Sequence, residues 1–247
     1  MTILDIPPIM QSAVDLKIKL FADGADKATM LEMYRNPLIQ GFTTNPTLMR
    51  KAGISDYGSF ACDIVAAIPD RPISFEVFAD DFVEMERQAR IIAAWGPNVN
   101  AKIPVTNTQG EPCFDLVRKL TREGIQLNIT ALLTLNQVRC VAAALRGGAP
   151  AFVSVFAGRI ADTGLDPIPI MSASLDEIAD LPGVELIWAS PRELLNVVQA
   201  DAIGCHIITA TSDILKKLST LGKDLTQFSL ETVQMFHDDA CSSGFTL

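Results

Sequence analysis

Short apolar stretches of strand length alternate with amphipathic helical patterns along nearly the whole chain. Eight stretches have the length and residue types of strands, at 17–21, 39–43, 73–78, 99–103, 125–129, 151–155, 185–188 and 205–208. Helical spacing follows each of them, at 27–34, 56–67, 81–95, 114–123, 135–145, 175–180, 192–202 and 213–219. Eight successive strand–helix units predict a (β/α)8 barrel.

A doubly wound open sheet is the main alternative for this alternation. The sequence lacks the G-x-G-x-x-G and G-x-x-x-x-G-K-[ST] motifs that mark nucleotide sites in such sheets. No Gly-, Ser- or Pro-rich linker divides the chain, so residues 1–247 are expected to form one domain. A short extension precedes Lys17, and an amphipathic helix at about 230–241 is expected to cap the barrel or pack on a neighbouring subunit.

The charge pattern argues against nucleic acid and membranes as partners. The net charge is −9, and no Lys/Arg-rich run exists to hold a phosphate backbone. The N-terminal segment does not have the pattern of a signal peptide, and no apolar run approaches the roughly 20 residues that span a bilayer. A cytoplasmic protein is the expectation.

The cysteines and histidines fit a reducing compartment and do not form a metal-binding pattern. The five cysteines are widely spaced without a C-x-x-C motif, which is typical of buried free thiols in a reducing compartment. His206 and His237 do not stand at ligand spacing from a cysteine or from each other. Neither a metal site nor a cofactor is expected.

Hydrogen-bonding residues gather at one end of the predicted strands. Barrel strands alternate between interior and helix layer, and barrel enzymes carry their chemistry at the carboxyl ends of the strands. A single hydrogen-bonding residue at the end of a strand is readily explained as a helix cap or a turn residue. Seven strands that each carry such a residue at the same rim predict a functional site. These residues are Asp23, Thr43, Thr44, Asn45, Glu76, Lys102, Asn128, Thr130, Ser154, Ser190 and Arg192.

Lys102, in the apolar run NAKIPVT at 100–106, suggests the chemistry. Burial favours the neutral amine, which attacks carbonyl carbons and forms a Schiff base. The iminium then accepts electrons from a neighbouring carbon–carbon bond, and Asp23 and Glu76 are the carboxylates placed to move protons. A buried structural ion pair between Lys102 and one of these acids is the alternative.

Five motifs carry a resemblance to a known family: GFTTNPT (41–47), NAKIPVT (100–106), LNITALLT (127–134), SVFAGRIAD (154–162) and WASPREL (188–194). These motifs stand in the family's order, and the resemblance extends over residues 18–245. The chain resembles the transaldolases, most of all the small branch that includes the fructose-6-phosphate aldolases. The resemblance implies a class I aldolase barrel that carries dihydroxyacetone as a Schiff base on Lys102.

The resemblance also implies a role for each matching residue. Asp23 is similar to the acid/base beside Asn45, and Glu76 with Thr130 to the pair that holds the catalytic water. Asn128 and Ser154 resemble residues that bind the dihydroxyacetone hydroxyls. Thr43 and Phe156 are also expected to bind substrate, and Phe156 shares the parity of Ser154 and so faces the barrel interior. Arg159, Ser190 and Arg192 match the family's phosphate-binding positions. The alternative for Arg159 is a salt bridge to Asp162.

The resemblance to the small branch also implies the partners. The substrates are expected to be sugar phosphates, and the protein is expected to form a homo-oligomer, a pentamer or decamer.

Three functions remain open: a transaldolase of carbohydrate metabolism such as the pentose phosphate pathway, an aldolase that releases free dihydroxyacetone, and an inactive scaffold. In the aldolase branch a tyrosine and a glutamine commonly stand where this chain has Phe156 and Glu76, so the resemblance favours a transaldolase. The chain departs from the family pattern in three ways. It lacks the extra helices of the long transaldolases, it has Pro191 inside the motif SPREL, and it has an N-terminal extension.

Overall fold

Eight parallel strands close into a barrel in the computed structural model, which describes residues 12–244. Neighbouring strands pair in sequence order, and the last strand pairs with the first. This arrangement confirms the predicted (β/α)8 barrel. The strands are β1 (Lys19–Asp23), β2 (Ile39–Thr43), β3 (Ile73–Glu76), β4 (Val99–Pro104), β5 (Leu127–Leu132), β6 (Ala151–Val155), β7 (Val184–Trp188) and β8 (Ile207–Thr211).

Eleven α-helices lie within the described range. Many begin at a side-chain cap: Asp26 accepts a hydrogen bond from the Thr29 amide, and Asp81 from the Glu84 amide. Such caps satisfy amide groups that a helix start leaves unpaired. The helices are α1 (Lys27–Arg35), α2 (Pro46–Lys51), α3 (Tyr57–Ala67), α4 (Phe82–Ala93), α5 (Phe114–Arg122), α6 (Leu135–Leu145), α7 (Ala157–Asp162), α8 (Ile168–Ile178), α9 (Leu195–Ala202), α10 (Ser212–Lys216) and α11 (Leu225–Ser243).

Strand register brings polar residues together inside the barrel. On β4, Asn100 and Lys102 share one face because side chains alternate along a strand. Lys102 stands opposite Glu76 on β3 and opposite Asn128 on β5. Three neighbouring strands therefore deliver an acid, an amine and an amide side by side.

An apolar cluster fills another part of the interior. It consists of Phe21, Phe152, Ile187, Ala189 and Ile207, all buried. The rings of Phe21 and Phe152 meet edge to face, with centroids 5.7 Å apart. Burial of each large apolar side chain stabilises the fold by about 1.5–3 kcal/mol. The cluster compensates for the polar groups that share the same interior.

Three strands begin two residues later than predicted, which corrects the ranges 17–21, 125–129 and 205–208. The amides of Lys17 and Ile18 donate to Asp201 Oδ1, at 2.7 and 2.8 Å, before β1 begins. A carboxylate 184 residues away thus takes bonds that a strand partner would otherwise receive. At the other end, β8 runs on to Thr211.

The helix predictions also need correction. The six-residue helices α2 and α7 were not predicted, because so short a segment shows no helical period. The predicted helix at 175–180 begins at Ile168, where Pro167 and Pro169 obscure the pattern although proline is tolerated in a first turn. The helix predicted at 192–202 begins at Leu195, and the one at 213–219 becomes a 3-10 turn after Lys216.

Residues 17–215 form the compact unit that holds the barrel, and the described residues on either side of it, 12–16 and 216–244, belong to a second unit. In the second unit, α11 extends beyond the predicted 230–241, and none of its residues is buried. Residues 13–15 form a 3-10 turn, while 1–11 of the predicted extension lie outside the described residues. That 1–247 form a single domain stays a prediction.

All five cysteines are free thiols, but they are not all buried. Cys113 and Cys205 are buried, as expected, whereas Cys62 and Cys241 are exposed and Cys140 is intermediate. Burial raises the pKa of Cys205 to about 12, so this thiol stays protonated at neutral pH. No helix among residues 12–244 is long and apolar enough to cross a membrane.

Gly41 allows the ring of Phe21 to pack inside the barrel, and this contact generates a stability prediction. A Cβ atom at Gly41 would lie 2.4 Å from Phe21 Cζ. We expect Gly41→Ala to lower the free energy of unfolding by about 1–3 kcal/mol, the usual cost of overpacking a core. Urea unfolding followed by circular dichroism measures this loss.

Gly24→Ala is the matched control, since a Cβ there meets nothing within 4 Å. It should change stability little, and Phe21→Leu in the Gly41→Ala background should restore part of the loss. Equal stability of Gly41→Ala and the unmodified chain would contradict the packing argument.

Candidate active site

A cavity of about 480 Å³ opens at the carboxyl end of the barrel. Parallel barrels keep their binding sites at this end. Its wall contains ten of the predicted site residues: Asp23, Thr43, Asn45, Glu76, Lys102, Thr130, Ser154, Phe156, Arg159 and Ser190. The joint polar pattern in the sequence therefore corresponds to one cavity.

Lys102 lies in the cavity wall with only 6% of its surface exposed. Its Nζ forms an ion pair with Glu76 Oε2 at 2.9 Å and donates to the backbone oxygen of Thr44 at 3.0 Å. A buried ammonium needs such partners, because an unpaired charge in a protein interior is costly. The amine is thus held at the cavity surface with a proton acceptor beside it.

Asp23, at the end of β1, is the second carboxylate of the cavity. Its Oδ1 accepts a hydrogen bond from Thr43 Oγ1 at 2.7 Å. Burial raises the pKa of Asp23, while the charge of Lys102 and the Thr43 hydrogen bond lower it and the charge of Glu76 raises it further; the net direction is upward. Carboxyl groups with a raised pKa exchange protons more readily near neutral pH.

Asn128 does not line the cavity, although it was predicted to bind substrate. It is fully buried, with its Oδ1 accepting from Ser154 Oγ at 2.7 Å and its Nδ2 donating to Ser74 Oγ at 2.9 Å. Ser154 itself lies in the cavity wall. The amide therefore fixes the direction in which the Ser154 hydroxyl donates.

Thr130 presents a buried hydroxyl to the cavity from β5. Its Oγ1 has no hydrogen-bond partner among the described residues. The next residue, Ala131, has a φ of 64°, a left-handed conformation that costs energy in residues other than glycine. A buried hydroxyl without a protein partner is suited to bind water or a ligand.

Asn45 links the cavity to the start of α2. Its Oδ1 accepts from the Leu48 amide at 3.0 Å and caps the helix, with Pro46 in the first turn. Capping fixes the side chain and leaves the amide NH₂ group for other partners. Asn45 therefore has a structural role whatever it binds.

Arg192 lies beside the rim and is held by other rim residues. Its Nε donates to Asp162 Oδ1 at 2.9 Å, and its Nη1 donates to Ser190 O and Oγ at 2.9 and 2.8 Å. Ser190 is left-handed, with a φ of 61°, and a Cβ at Gly158 would lie 1.6 Å from Ser190 O. The absence of a side chain at Gly158 thus lets α7 approach the loop that carries Ser190.

Arg159, like Arg192, is exposed at the rim. Its guanidinium carbon lies 5.8 Å from the ring centroid of Phe156. The alternative of a salt bridge to Asp162 is wrong, because Asp162 pairs with Arg192 and no ion pair of Arg159 occurs within residues 12–244. Phe156 lines the cavity and also packs against the apolar cluster.

Among the residues whose hydrogen bonds or position shape this site, Thr209, Ser74 and Asp162 were not predicted. Thr209 lines the cavity from β8, but the predicted strand ended at residue 208 and left it out. Ser74 shares the parity of Glu76 and was identifiable from it, whereas Asp162 stood out only as a partner for Arg159. Long-range hydrogen bonds, which the sequence does not display, decide the roles of Ser74 and Asp162.

The arrangement provides an amine for attack on a carbonyl carbon and two carboxylates for proton transfer. The Lys102–Glu76 pair taken alone is equally compatible with a structural ion pair. Its place in the wall of an open cavity, with Asp23 and the Thr130 hydroxyl, provides more functional groups than a structural pair requires.

The family profile and the similar proteins all point to one enzyme family. A profile of the family described as "Transaldolase/Fructose-6-phosphate aldolase" matches residues 20–245. The chain is similar to a probable transaldolase of Dehalococcoides mccartyi, with 37% identity over 203 residues that cover 81% of this chain and 90% of that protein. It is also similar to a probable transaldolase of Streptococcus agalactiae, with 36% identity over 217 residues, or 87% and 95% of the two chains.

A solved structure from Burkholderia cenocepacia, reported as that of a phosphonomutase candidate, resembles the barrel with a TM-score of 0.55 and 15% identity. The match covers 88% of this chain and 96% of that one. At so low an identity the likeness shows the fold alone.

The buried state of Asp23 generates a prediction about pH and stability. Because burial raises the pKa of Asp23, its contribution to stability is present at low pH and is lost as pH rises through its native pKa. We expect Asp23→Asn to be more stable than the unmodified chain at pH 7–8. The advantage should vanish toward about pH 4, where an unfolded aspartate also becomes protonated.

Urea unfolding at a series of pH values measures the difference. The control is Asp176→Asn, which neutralises an exposed aspartate on α8 and should show no such pH-dependent gain. A less stable Asp23→Asn variant at neutral pH would show that the carboxylate is favoured where it stands.

Proposed function

Because the chain belongs to the transaldolase/fructose-6-phosphate aldolase family of enzymes, we propose that it is a transaldolase that transfers a dihydroxyacetone unit between phosphorylated sugars. The observation that carries the proposal is Lys102: a buried lysine in the cavity wall, paired with Glu76 at 2.9 Å, at the position that the family resemblance gives to the Schiff-base nucleophile.

The first step is formation of the Schiff base. Glu76 takes a proton from the ammonium group of Lys102, and the neutral Nζ attacks the ketone carbon of the donor sugar. The carbinolamine then loses its hydroxyl group as water, with Glu76 returning the proton. Thr130 and Glu76 hold this water, which fits the Thr130 hydroxyl that finds no hydrogen-bond partner among residues 12–244.

The second step breaks a carbon–carbon bond. Asp23 accepts the proton of the hydroxyl on the far carbon of that bond, and the bonding electron pair moves toward the iminium nitrogen to give an enamine. The aldehyde fragment leaves. An acceptor aldehyde then forms a new bond to the enamine carbon, Asp23 returns the proton to the new hydroxyl oxygen, and water hydrolyses the iminium.

The donor's hydroxyl groups are bound by polar residues near Lys102. The Ser154 hydroxyl donates to Asn128, so its oxygen accepts from the donor. Asn128 is buried behind the cavity wall and contributes indirectly, by holding the Ser154 hydroxyl in this orientation. The amide of Asn45 and the hydroxyl of Thr43 complete the group.

The phosphate group is bound at the rim. Arg159 has an accessible guanidinium, and Arg192 is oriented by Asp162 and Ser190. Guanidinium groups suit phosphate because their N–H fork matches two phosphate oxygens. Substrates are therefore sugar phosphates, with Arg159 as the first contact and Ser190 and Arg192 as a fixed second one.

Phe156 decides between transfer and release. A phenylalanine ring has no hydroxyl to orient water, so the enamine is not readily protonated and persists until an acceptor aldehyde arrives. A tyrosine there would favour protonation and release of free dihydroxyacetone, which is the aldolase alternative.

We also propose that the protein is a homo-oligomer, a pentamer or decamer, with α11 at a contact between copies. The proposal is supported by the large apolar side chains that α11 leaves exposed: Leu225, Phe228, Leu230, Val233, Met235 and Phe236.

The Schiff base is tested by reduction with borohydride in the presence of fructose 6-phosphate. The unmodified chain should gain a covalent adduct on Lys102. Lys102→Arg keeps the charge but removes a readily deprotonated amine, so the adduct should disappear and activity should fall on the order of 10³-fold or more.

Lys119→Arg, on the exposed surface of α5, is the control and should trap substrate normally. Circular dichroism should show a folded Lys102→Arg variant. An adduct that survives in Lys102→Arg would place the nucleophile elsewhere.

The balance between transfer and release is tested at Phe156. With fructose 6-phosphate as donor and erythrose 4-phosphate as acceptor, transfer should be much faster than release of dihydroxyacetone without acceptor. Phe156→Tyr should raise release relative to transfer by roughly 10-fold, in the range that one positioned proton-transfer group contributes.

Phe78→Tyr, which adds the same hydroxyl to an exposed ring, should leave the ratio unchanged. If the unmodified enzyme releases dihydroxyacetone as fast as it transfers it, the aldolase alternative replaces the transaldolase.

A further inference from the structure

Three side chains from neighbouring strands form one hydrogen-bonded row in the cavity wall. Thr209 on β8 contacts Thr43 on β2, with their Oγ1 atoms 2.6 Å apart, and Thr43 Oγ1 lies 2.7 Å from Asp23 Oδ1 on β1. Thr43 and Thr209 are buried, with 2% and 6% of their surface exposed. In the row Thr209–Thr43–Asp23, the two threonine hydroxyls are thus largely shielded from competing solvent.

The number of hydroxyl protons determines which residue donates in each hydrogen bond of the row. An ionised carboxylate only accepts hydrogen bonds, so the single O–H of Thr43 is committed to Asp23. Thr43 must then accept at its oxygen, and Thr209 must donate to it. When Asp23 is ionised, the hydrogen bonds therefore run from Thr209 to Thr43 and from Thr43 to Asp23.

This direction favours the ionised acid. A hydroxyl that accepts one hydrogen bond becomes a better donor in the next, because successive bonds polarise one another. Burial raises the pKa of Asp23, whereas the charge of Lys102 on β4 and the Thr43 hydrogen bond lower it, and the charge of Glu76 on β3 raises it. Arg159 on α7 is the remaining charged residue of the described cavity wall.

We propose that Thr209 is a positioning residue that acts through Thr43 to hold Asp23 in its base form and in the orientation for proton transfer. The inference rests on the proposed function, in which Asp23 accepts the proton of a donor hydroxyl. In that step the proton moves from the hydroxyl to Asp23, and the electron pair of the broken carbon–carbon bond moves toward the iminium nitrogen. Both threonines keep their own protons.

The experiment compares Thr209→Val with Thr209→Ser. Valine has nearly the shape of threonine without the hydroxyl, and serine keeps the hydroxyl. The titration of the Asp23 carboxyl is followed by ¹³C NMR of aspartate-labelled protein, with the signal assigned by its loss in Asp23→Asn. We expect the Asp23 midpoint to rise in Thr209→Val by roughly half a unit, since a relayed bond is weaker than a direct one. Thr209→Ser should titrate like the unmodified protein.

The acid limb of the pH profile of kcat/KM should move to higher pH by the same amount. Thr211→Val is the matched control: it removes a hydroxyl from the exposed end of the same strand and should leave both midpoints in place. Thr43→Val should cause a larger shift, and adding Thr209→Val to it should cause no further change, because the relay is already broken.

An unshifted Asp23 midpoint in Thr209→Val, or additive shifts in the double variant, would overturn the relay. If Thr209→Val does not fold, Thr209→Ala decides by the same titration. The NMR measurement needs no activity. A shifted midpoint in a protein that traps no substrate would therefore overturn the proposed function and leave the row intact.

Discussion

The ion pair between Lys102 and Glu76 is the constraint on which the interior of this barrel depends. Two charges taken out of water must compensate each other, and loss of one partner leaves the other uncompensated. The register of β3 and β4 supplies the closeness, since the two residues stand opposite each other on neighbouring strands. A slip of either strand by one residue would turn its member of the pair to the helix layer and separate the two charges.

The polar groups around the pair follow the same requirement. Asn128 and Ser74 lie away from the cavity, yet they hold Ser154 through two hydrogen bonds of 2.9 and 2.7 Å. Such a network is stable only when each buried group finds a partner. Backbone strain is found at the same place: Ala131 and Ser190, which line the cavity, are the two residues other than glycine with positive φ in the described chain. Strain at sites of this kind is held in place by the surrounding packing.

The sequence was sufficient to predict the barrel and most of the cavity wall because alternation along a strand is a local property. Lys102, Thr130 and Ser154 could be placed on an inner face from their neighbours alone. Contacts between distant segments could not be predicted in this way. Asp201 ends the hydrogen bonding before β1, and Asp162 pairs with Arg192 instead of Arg159. Thr209 was missed for a related reason, since the end of β8 depends on pairing with other strands.

The charges at the rim bear on how an anionic substrate reaches the cavity. The chain as a whole carries −9, whereas the cavity wall holds two acids and two bases, and Arg192 is already paired with Asp162. Under the proposed function, the net charge would repel a phosphate ester at long range, and the guanidinium groups would attract it only at short range. Salt screens charges beyond about 8 Å more than those in contact. For such a substrate, moderate ionic strength would speed the encounter, the reverse of its effect on enzymes whose surface field draws the substrate in.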